Sequence, residues 1–267
     1  MSIISLLSDF GHRDPYVAEM KAVILSINPQ ARIVDITHEI EKFDIRMGAY
    51  VLASAAPYFP PNTVHVAVVD PGVGTKRRPI IAETRRSLYV GPDNGLLMLA
   101  AHKEHIKKVY AIDNPAYMLS EVSKTFHGRD IFAPAAAHLT AGNKPSDFGP
   151  AIHDYVFPEF AKPQPRKGEL RGEVLHIDDF GNIISNITSE DLEKMGLHEG
   201  DSLLVRLGGK TLTIRFCSAY GEVPSRTPLA LIGGSNFLEV AVNQGRASTV
   251  FEAKAGESFH VSGEVPS

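Results

Sequence analysis

Val64-His65-Val66-Ala67-Val68-Val69-Asp70-Pro71-Gly72 is the stretch on which the fold turns. It is a short apolar run, broken only by His65, that closes in an Asp-Pro-Gly loop. The pattern predicts a buried strand delivering a polar loop at its carboxyl end. Ile3 to Leu7 is a second such run and ends in Ser8-Asp9-Phe10-Gly11. Between the two, Val17, Met20, Ile24 and Ile27 recur at helical spacing, and Pro29 ends the segment. Asp14-Pro15 is expected to supply the N-cap and first helical residue. Arg32 to Ile36 predicts another strand. Asp44 is expected to cap a helix that runs to about Ala56 and stops at Pro57. Strand, helix, strand, helix and strand in this order predict an α/β N-terminal domain, three layers around a mainly parallel sheet.

Strands are further expected at Pro79 to Glu83, Ser87 to Val90 and Lys108 to Ile112, with helices at Asn94 to Ala101 and Asp130 to Thr140. The texture changes between about Lys144 and Lys167, where Pro145, Pro150, Pro158, Pro163 and Pro165 crowd together and mark a linker. Beyond it lie short alternating segments: Glu169 to Ile177, Ser202 to Leu207, Lys210 to Phe216, Leu229 to Ile232, Phe237 to Val242 and Ser258 to Val261. Only Ser189 to Met195 reads as helical, with Thr188 as its cap. This half is expected to be a smaller all-β barrel or sandwich. The expected domains are residues 1–160 and 168–267.

The 267 residues are 43% hydrophobic and 22% charged, which suits a folded globular chain and excludes whole-chain disorder or coiled coil. A formal net charge of -4 without a basic run argues against a general nucleic-acid binder. Cys217 stands alone, so neither an intramolecular disulfide nor a cysteine-based zinc site is available, and a cytoplasmic setting is expected. Met1 to Asp9 lacks the pattern of a signal peptide, and no run approaches the roughly 20 apolar residues of a membrane span.

The polar loops carry the functional information. Asp9 and Asp70 follow buried strands, Asp93 and Asn94 lie in Gly91-Pro92-Asp93-Asn94-Gly95, and Phe126-His127-Gly128-Arg129-Asp130 precedes a helix. Ligands of open parallel sheets bind beyond the carboxyl ends of the strands, so Asp9, Asp70, Asn94 and His127 are expected near one edge. Each loop also reads as an ordinary turn. Gly72-Val73-Gly74-Thr75-Lys76 lacks the spacing of a phosphate loop, and Gly233-Gly234-Ser235-Asn236-Phe237 does not complete a nucleophile elbow. His102 and His105 read as a solvated helix face, whereas Asp9, Asp70, His127 and Asp130 are a conceivable carboxylate-rich metal centre. In the second half, Asp178-Asp179-Phe180-Gly181-Asn182 reads as a hairpin turn or a ligand loop. Glu239, inside an apolar strand, reads as solvent-facing or as a ligand partner.

Five motifs then occur in order: Ser8-Asp9-Phe10-Gly11, Val69-Asp70-Pro71-Gly72-Val73-Gly74, Gly91-Pro92-Asp93-Asn94-Gly95, Thr125-Phe126-His127-Gly128-Arg129-Asp130 and Asp179-Phe180-Gly181-Asn182. With Ala241-Val242-Asn243-Gln244-Gly245 they resemble the S-adenosylmethionine hydroxide adenosyltransferases, hydrolase relatives of the fluorinase and chlorinase enzymes. The resemblance covers essentially the whole chain. It implies cleavage of S-adenosylmethionine by water into adenosine and L-methionine, with no metal or organic cofactor. It also implies a homotrimer whose sites lie between the N-terminal domain of one subunit and the C-terminal domain of the next.

By the same resemblance, the catalytic set falls on Asp70, Arg77 (or adjacent Arg78) and His127. The ribose-diol acid falls on Asp9, and the methionine-binding acids on Asp14 and Asp178 (or Asp179). The adenine-contacting asparagine is Asn182, the nucleoside-flanking aromatics are Phe43 and Phe126, and the methionine-contacting serine is Ser235. Glu239 is a further substrate-binding candidate. The halogenases are expected to carry tyrosine in place of Asp70 and of His127, and a halide-binding serine in place of Gly128, a pocket residue here. These departures favour water as nucleophile. Two competing readings are a metal-dependent hydrolase of a phosphorylated nucleoside and a non-catalytic S-adenosylmethionine or adenosine sensor.

Overall fold

A computed structural model of the protein describes residues 3–263. The chain divides into two compact units, up to residue 158 and from residue 159 onward.

The first unit holds a seven-stranded sheet. In chain order its strands are β1 (Ile3–Ser8), β2 (Arg32–Thr37), β3 (Val64–Val68), β4 (Pro79–Thr84), β5 (Leu88–Pro92), β6 (Ile106–Ala111) and β7 (Ala151–Ile152), and they lie in the order β2-β1-β3-β5-β4-β6-β7. The four strands β2, β1, β3 and β5 are parallel, and β4, β6 and β7 complete the sheet by antiparallel pairing. Strand order reverses between β1 and β3, which is where an open α/β sheet leaves a crevice.

Helices α1 (Tyr16–Ile27), α2 (Ile45–Ala55), α3 (Met98–Lys103) and α4 (Ala133–Thr140) complete the unit. Helix α1 packs with α4, and α2 with α3. Ile4, Leu6, Val64, Val66 and Val68 share one core with Met20, Ile24, Phe132 and Ala136. Alternation along the strands sends Ser5 and His65 to the other face, where Ser5 Oγ meets His65 Nδ1 at 2.6 Å. That bond is why one histidine is accommodated in an otherwise apolar strand. Burial pushes its imidazole down to about 3, so it is neutral.

Asp44 caps α2 as expected, accepting from Met47 N at 2.9 Å. The start of α1 differs: Pro15 stands at the cap with no side-chain bond, and the exposed Asp14 carboxylate caps nothing. Helix α3 begins at Met98 rather than Asn94, because Asn94 folds back in a turn. Its Oδ1 accepts from Leu96 N, and its Nδ2 donates to Val69 O.

The second unit is a closed barrel. Its strands are β8 (Gln164–Arg166), β9 (Glu169–Ile177), β10 (Ile183–Thr188), β11 (Ser202–Leu207), β12 (Lys210–Phe216), β13 (Pro228–Ile232), β14 (Phe237–Val242) and β15 (Ser258–Gly263). They run β10-β14-β13-β12-β11-β15-β9, and β9 pairs with β10 to close the ring, with β8 added outside β9. The barrel is filled by Val174, Ile183, Leu203, Val205, Leu238, Val240, Phe251 and Phe259 among others. Short helices α5 (Ser189–Lys194) and α6 (Ala247–Phe251) flank it. Thr188 caps α5 in a reciprocal box with Asp191. Among the described residues no helix is long and apolar enough to cross a membrane.

Candidate active site

The carboxyl ends of β1 and β3 deliver Asp9 and Asp70 side by side across the strand-order reversal. The loop from Asp70 to Arg78 returns into β4. The facing wall is Thr125-Phe126-His127-Gly128, which enters a single π-helical turn over Gly128–Phe132 before α4. Such turns are common at functional sites. A cavity of about 340 Å³ opens between these segments, lined by Asp9, Asp14, Phe43, Asp70, Phe126, His127 and Gly128 together with Phe10, Tyr16, Lys42, Val68, Val73 and Thr125. Seven residues singled out from sequence thus share one concave surface of substrate size.

Arg77 organises the polar end. Its Nε donates to Asp70 Oδ1 at 3.1 Å, and its Nη2 donates both to Asp70 Oδ2 and, at 3.0 Å, to His127 Nδ1. The Arg77 and Asp70 side chains are only 7% and 5% exposed. Guanidinium can only donate, so Nδ1 of His127 is the unprotonated nitrogen. Burial and the neighbouring Arg77 hold His127 below the ordinary imidazole value of 6.5. Neutral His127 therefore carries its proton on Nε2. Burial pushes Asp70 above the ordinary 3.8, outweighing the pull of Arg77. Arg77 Nη1 is buried and has no hydrogen-bond partner among the described residues. Arg78 points away, donating to Asp93 and Asp154.

Gly74 holds the two loops together. Its φ is +74°, and a Cβ there would lie 2.2 Å from the carbonyl oxygen of Lys124. Gly74 therefore allows a close backbone approach between the two loops. At the apolar end, Phe126 packs edge-on against Phe10 and Tyr16, with ring centroids 5.6 and 5.2 Å away. Gly128 leaves the room this needs, since a Cβ there would stand 3.2 Å from the Phe126 ring. Asp9 is buried, and its Oδ2 accepts from Phe43 N at 2.9 Å. Phe43 has φ 68° and is 67% exposed. A bulky residue held in the left-handed region is uncommon and points to function.

The second unit has its own cavity, about 510 Å³, lined by Phe180, Asn182, Tyr220, Arg226, Val242, Gln244, Gly245 and Arg246. Asp178 lies in the turn behind Asn182. It accepts from Asn182 N at 2.8 Å and Nδ2 at 3.0 Å, so it fixes the amide's orientation. Asp179 offers its carbonyl to Arg246 at 2.8 Å. Ser235 sits in the turn between β13 and β14. Glu239 is not the solvent-facing residue that its strand position permits. It is buried, accepts from Tyr220 Oη at 2.8 Å, and is pushed above the ordinary carboxyl value by burial and by the Asp178 charge.

Asn94, expected at the site's edge, is committed to backbone groups, and its neighbour Asp93 is buried and receives Arg78 and the Val156 amide. Asp130 is likewise spent, on Arg129 and the Ser123 amide. Among the described residues no group of three or more His, Cys, Asp or Glu side chains is arranged to hold a metal ion. The sequence reading missed Tyr16, Lys42 and Tyr220, which carry no motif. Tyr16 had one available signal: it stands one residue before the periodic face of α1, close to Phe10.

Residues 4–149 match the SAM hydroxide adenosyltransferase N-terminal domain and residues 172–260 its C-terminal domain. The (R)-S-adenosyl-L-methionine hydrolase of Thermus thermophilus is 39% identical over 263 residues, 96% of this chain and 98% of that protein. A fluorinase of an Actinoplanes species is 29% identical over 95% of both chains. The crystal structure of a conserved protein from Thermotoga maritima superposes with a TM-score of 0.87 at 39% identity, covering 97% of this chain and 99% of that one.

Proposed function

The chain belongs to the SAM hydroxide adenosyltransferase family, and from that membership and the first cavity we propose how it works. It hydrolyses S-adenosyl-L-methionine, water or hydroxide attacking the ribose 5′ carbon to release adenosine and L-methionine. The observation that carries the mechanism is the buried Asp70-Arg77-His127 cluster at one end of a cavity whose other end is aromatic.

A sulfonium is already a good leaving group, so neither a general acid nor a metal is required. The demanding step is to hold water in line behind the carbon, and such positioning can supply about 7–11 kcal/mol of barrier reduction. His127 contributes an Nε2–H donor to the water oxygen, because its Nδ1 is occupied by Arg77. Arg77 stabilises developing hydroxide character. Asp70 is the proton acceptor. Each carboxylate oxygen accepts more than one hydrogen bond, so its pairing with Arg77 leaves capacity for the water, and its upward shift makes it the stronger base. Aspartate and histidine at positions 70 and 127, with Gly128 beside them, frame a water site rather than a halide site.

On this reading Asp9 accepts from the ribose diol, and Phe43 and Phe126 flank the nucleoside. Asp14, Asp178, Ser235 and Glu239 serve the amino-acid end, and Asn182 serves adenine. The carboxylates suit an ammonium group as charge partners. We also read the chain as a cytoplasmic homotrimer, a state that sedimentation equilibrium would test. The deciding experiment is incubation with S-adenosylmethionine in excess chelator, products read by chromatography, for the wild type and His127→Ala. Adenosine and methionine from the wild type, with little from the mutant, support the hydrolase. No adenosine from folded protein overturns it in favour of a sensor, and chelator-sensitive turnover favours a metal-dependent enzyme.

A further inference from the structure

Ser8, His38 and Asp35 lie in a row, Ser8 hydrogen-bonded to His38 and His38 beside the Asp35 carboxylate. Ser8 Oγ lies 2.7 Å from His38 Nδ1, and His38 Nε2 lies 3.2 Å from Asp35 Oδ1. Serine, histidine and aspartate in a row invite a nucleophile reading, but Ser8 is fully buried at the end of β1 and reaches no cavity. Its oxygen has a different use: the Phe10 backbone N–H donates to it at 3.3 Å.

The negative charge of Asp35, 3.2 Å from Nε2, favours the tautomer with the proton on Nε2, which leaves Nδ1 as the acceptor. Ser8 therefore donates to His38, and its lone pairs face the Phe10 amide. The same histidine also holds the segment through its backbone, because Gly11 N donates to His38 O at 2.7 Å. Asp9 lies between these fixed points, and its carboxylate then meets the Phe43 amide. The line exists because β1 and β2 shift register between Leu6 and Leu7, pairing Leu6 with Asp35 but Leu7 with Thr37. That irregularity carries His38 alongside Ser8 while Asp35 stays within reach.

We propose that His38 is a positioning residue: through Ser8 it fixes the Ser8-Asp9-Phe10 turn so that Asp9 presents its carboxylate to the ribose hydroxyls of the substrate. The inference rests on the reading of Asp9 as the diol acceptor. Asparagine places its Oδ1 near the former Nδ1 and keeps the acceptor for Ser8. Glutamine reaches the position of Nε2 and keeps the contact with Asp35 but loses that acceptor. The two substitutions therefore separate the relay from mere volume.

The test measures kcat and KM for S-adenosylmethionine, and inhibition by adenosine against 2′-deoxyadenosine, in wild type, Asp9→Ala, His38→Gln, His38→Asn and Ser8→Ala. The wild type is expected to prefer adenosine by about tenfold or more, since a site built to accept a hydroxyl rejects an analogue lacking it. His38→Gln and Ser8→Ala are expected to shrink that preference about fivefold and raise KM, with kcat within about twofold. His38→Asn is expected to retain the preference. If Asp9→Ala shrinks the preference while His38→Gln and Ser8→Ala leave it intact, the relay is overturned and the role of Asp9 stands. If Asp9→Ala leaves it intact, the role of Asp9 falls and the relay with it. Equal losses in His38→Asn and His38→Gln also overturn the relay. Should His38→Gln fail to fold by circular dichroism, Ser8→Ala, which removes one oxygen, decides the matter.

Discussion

Replacing Gly74 with alanine is expected to disable the active site while leaving the first unit folded. The added Cβ would lie 2.2 Å from Lys124 O, whereas an ordinary carbon-oxygen contact needs about 3.3 Å. The loop carrying Asp70 and Arg77 must then part by about 1 Å from the loop carrying His127. A misplacement of that size near reacting atoms costs about 100-fold in rate. The left-handed backbone adds about 1–2 kcal/mol of strain for any residue with a Cβ. Gly168 is a matched control: its φ is also +74°, and nothing lies within 4 Å of its would-be Cβ. Gly168→Ala therefore carries the strain without the collision. The assay is kcat/KM from adenosine release, with thermal melting of each variant. Gly74→Ala is expected to lose about two orders of magnitude in kcat/KM, and Gly168→Ala almost none, although both melt a few degrees lower. A Gly74→Ala enzyme within about threefold of wild type would show that loop contact does not set the catalytic geometry.

Asp70→Asn keeps the shape of the cluster but removes the base, so kcat is expected to fall by about 10²–10⁴ with KM little changed, as steady-state kinetics would show. Activity is expected to hold at neutral pH and to fall on acidification. Burial holds Asp70 above the ordinary 3.8 and His127 below the ordinary 6.5, and protonation of either disarms the cluster, so a pH–rate profile is expected to lose activity on acidification at a pH above the ordinary carboxyl value. Tyr220→Phe leaves buried Glu239 without its donor. The resulting loss of melting temperature is expected to be larger at neutral pH, where the carboxylate is charged, than at the ordinary carboxyl value of 4.5, where its raised pKa keeps it mostly protonated in the folded state.

Where one face of an element is apolar, its sequence announces it. Strands β9, β11 and β12 fall at the residues their alternation predicts, because a barrel wall has a dry side and a wet side. Strand β10 escaped notice because both of its faces are occupied. Ser185 and Asn186 are buried: Ser185 donates to Leu238 O, and Asn186 donates to Phe160 O and accepts from the Glu173 amide, which erases the alternation. The same distinction governs the site. Asp9, Asp70 and His127 stand in loops recognisable by their own neighbours. The pairing of Tyr220 with Glu239, and of His38 with Ser8, joins residues 19 and 30 positions apart that carry no local signal. Arg77 and Arg78 were inseparable as letters, and only the direction of their side chains divides them.

That division has an evolutionary corollary. Arg77 faces the reacting centre and Arg78 latches Asp93 and Asp154 immediately before β4 begins at Pro79. In extended chain, successive side chains point opposite ways. The two guanidinium groups therefore serve separate partners, Asp70 and His127 on one side and Asp93 and Asp154 on the other. Neither arginine can stand in for the other, although side by side they read as a redundant pair. A lineage that loses Arg77 is expected to lose its chemistry, and one that loses Arg78 to lose the anchor of the loop, so the two positions are expected to be retained for different reasons.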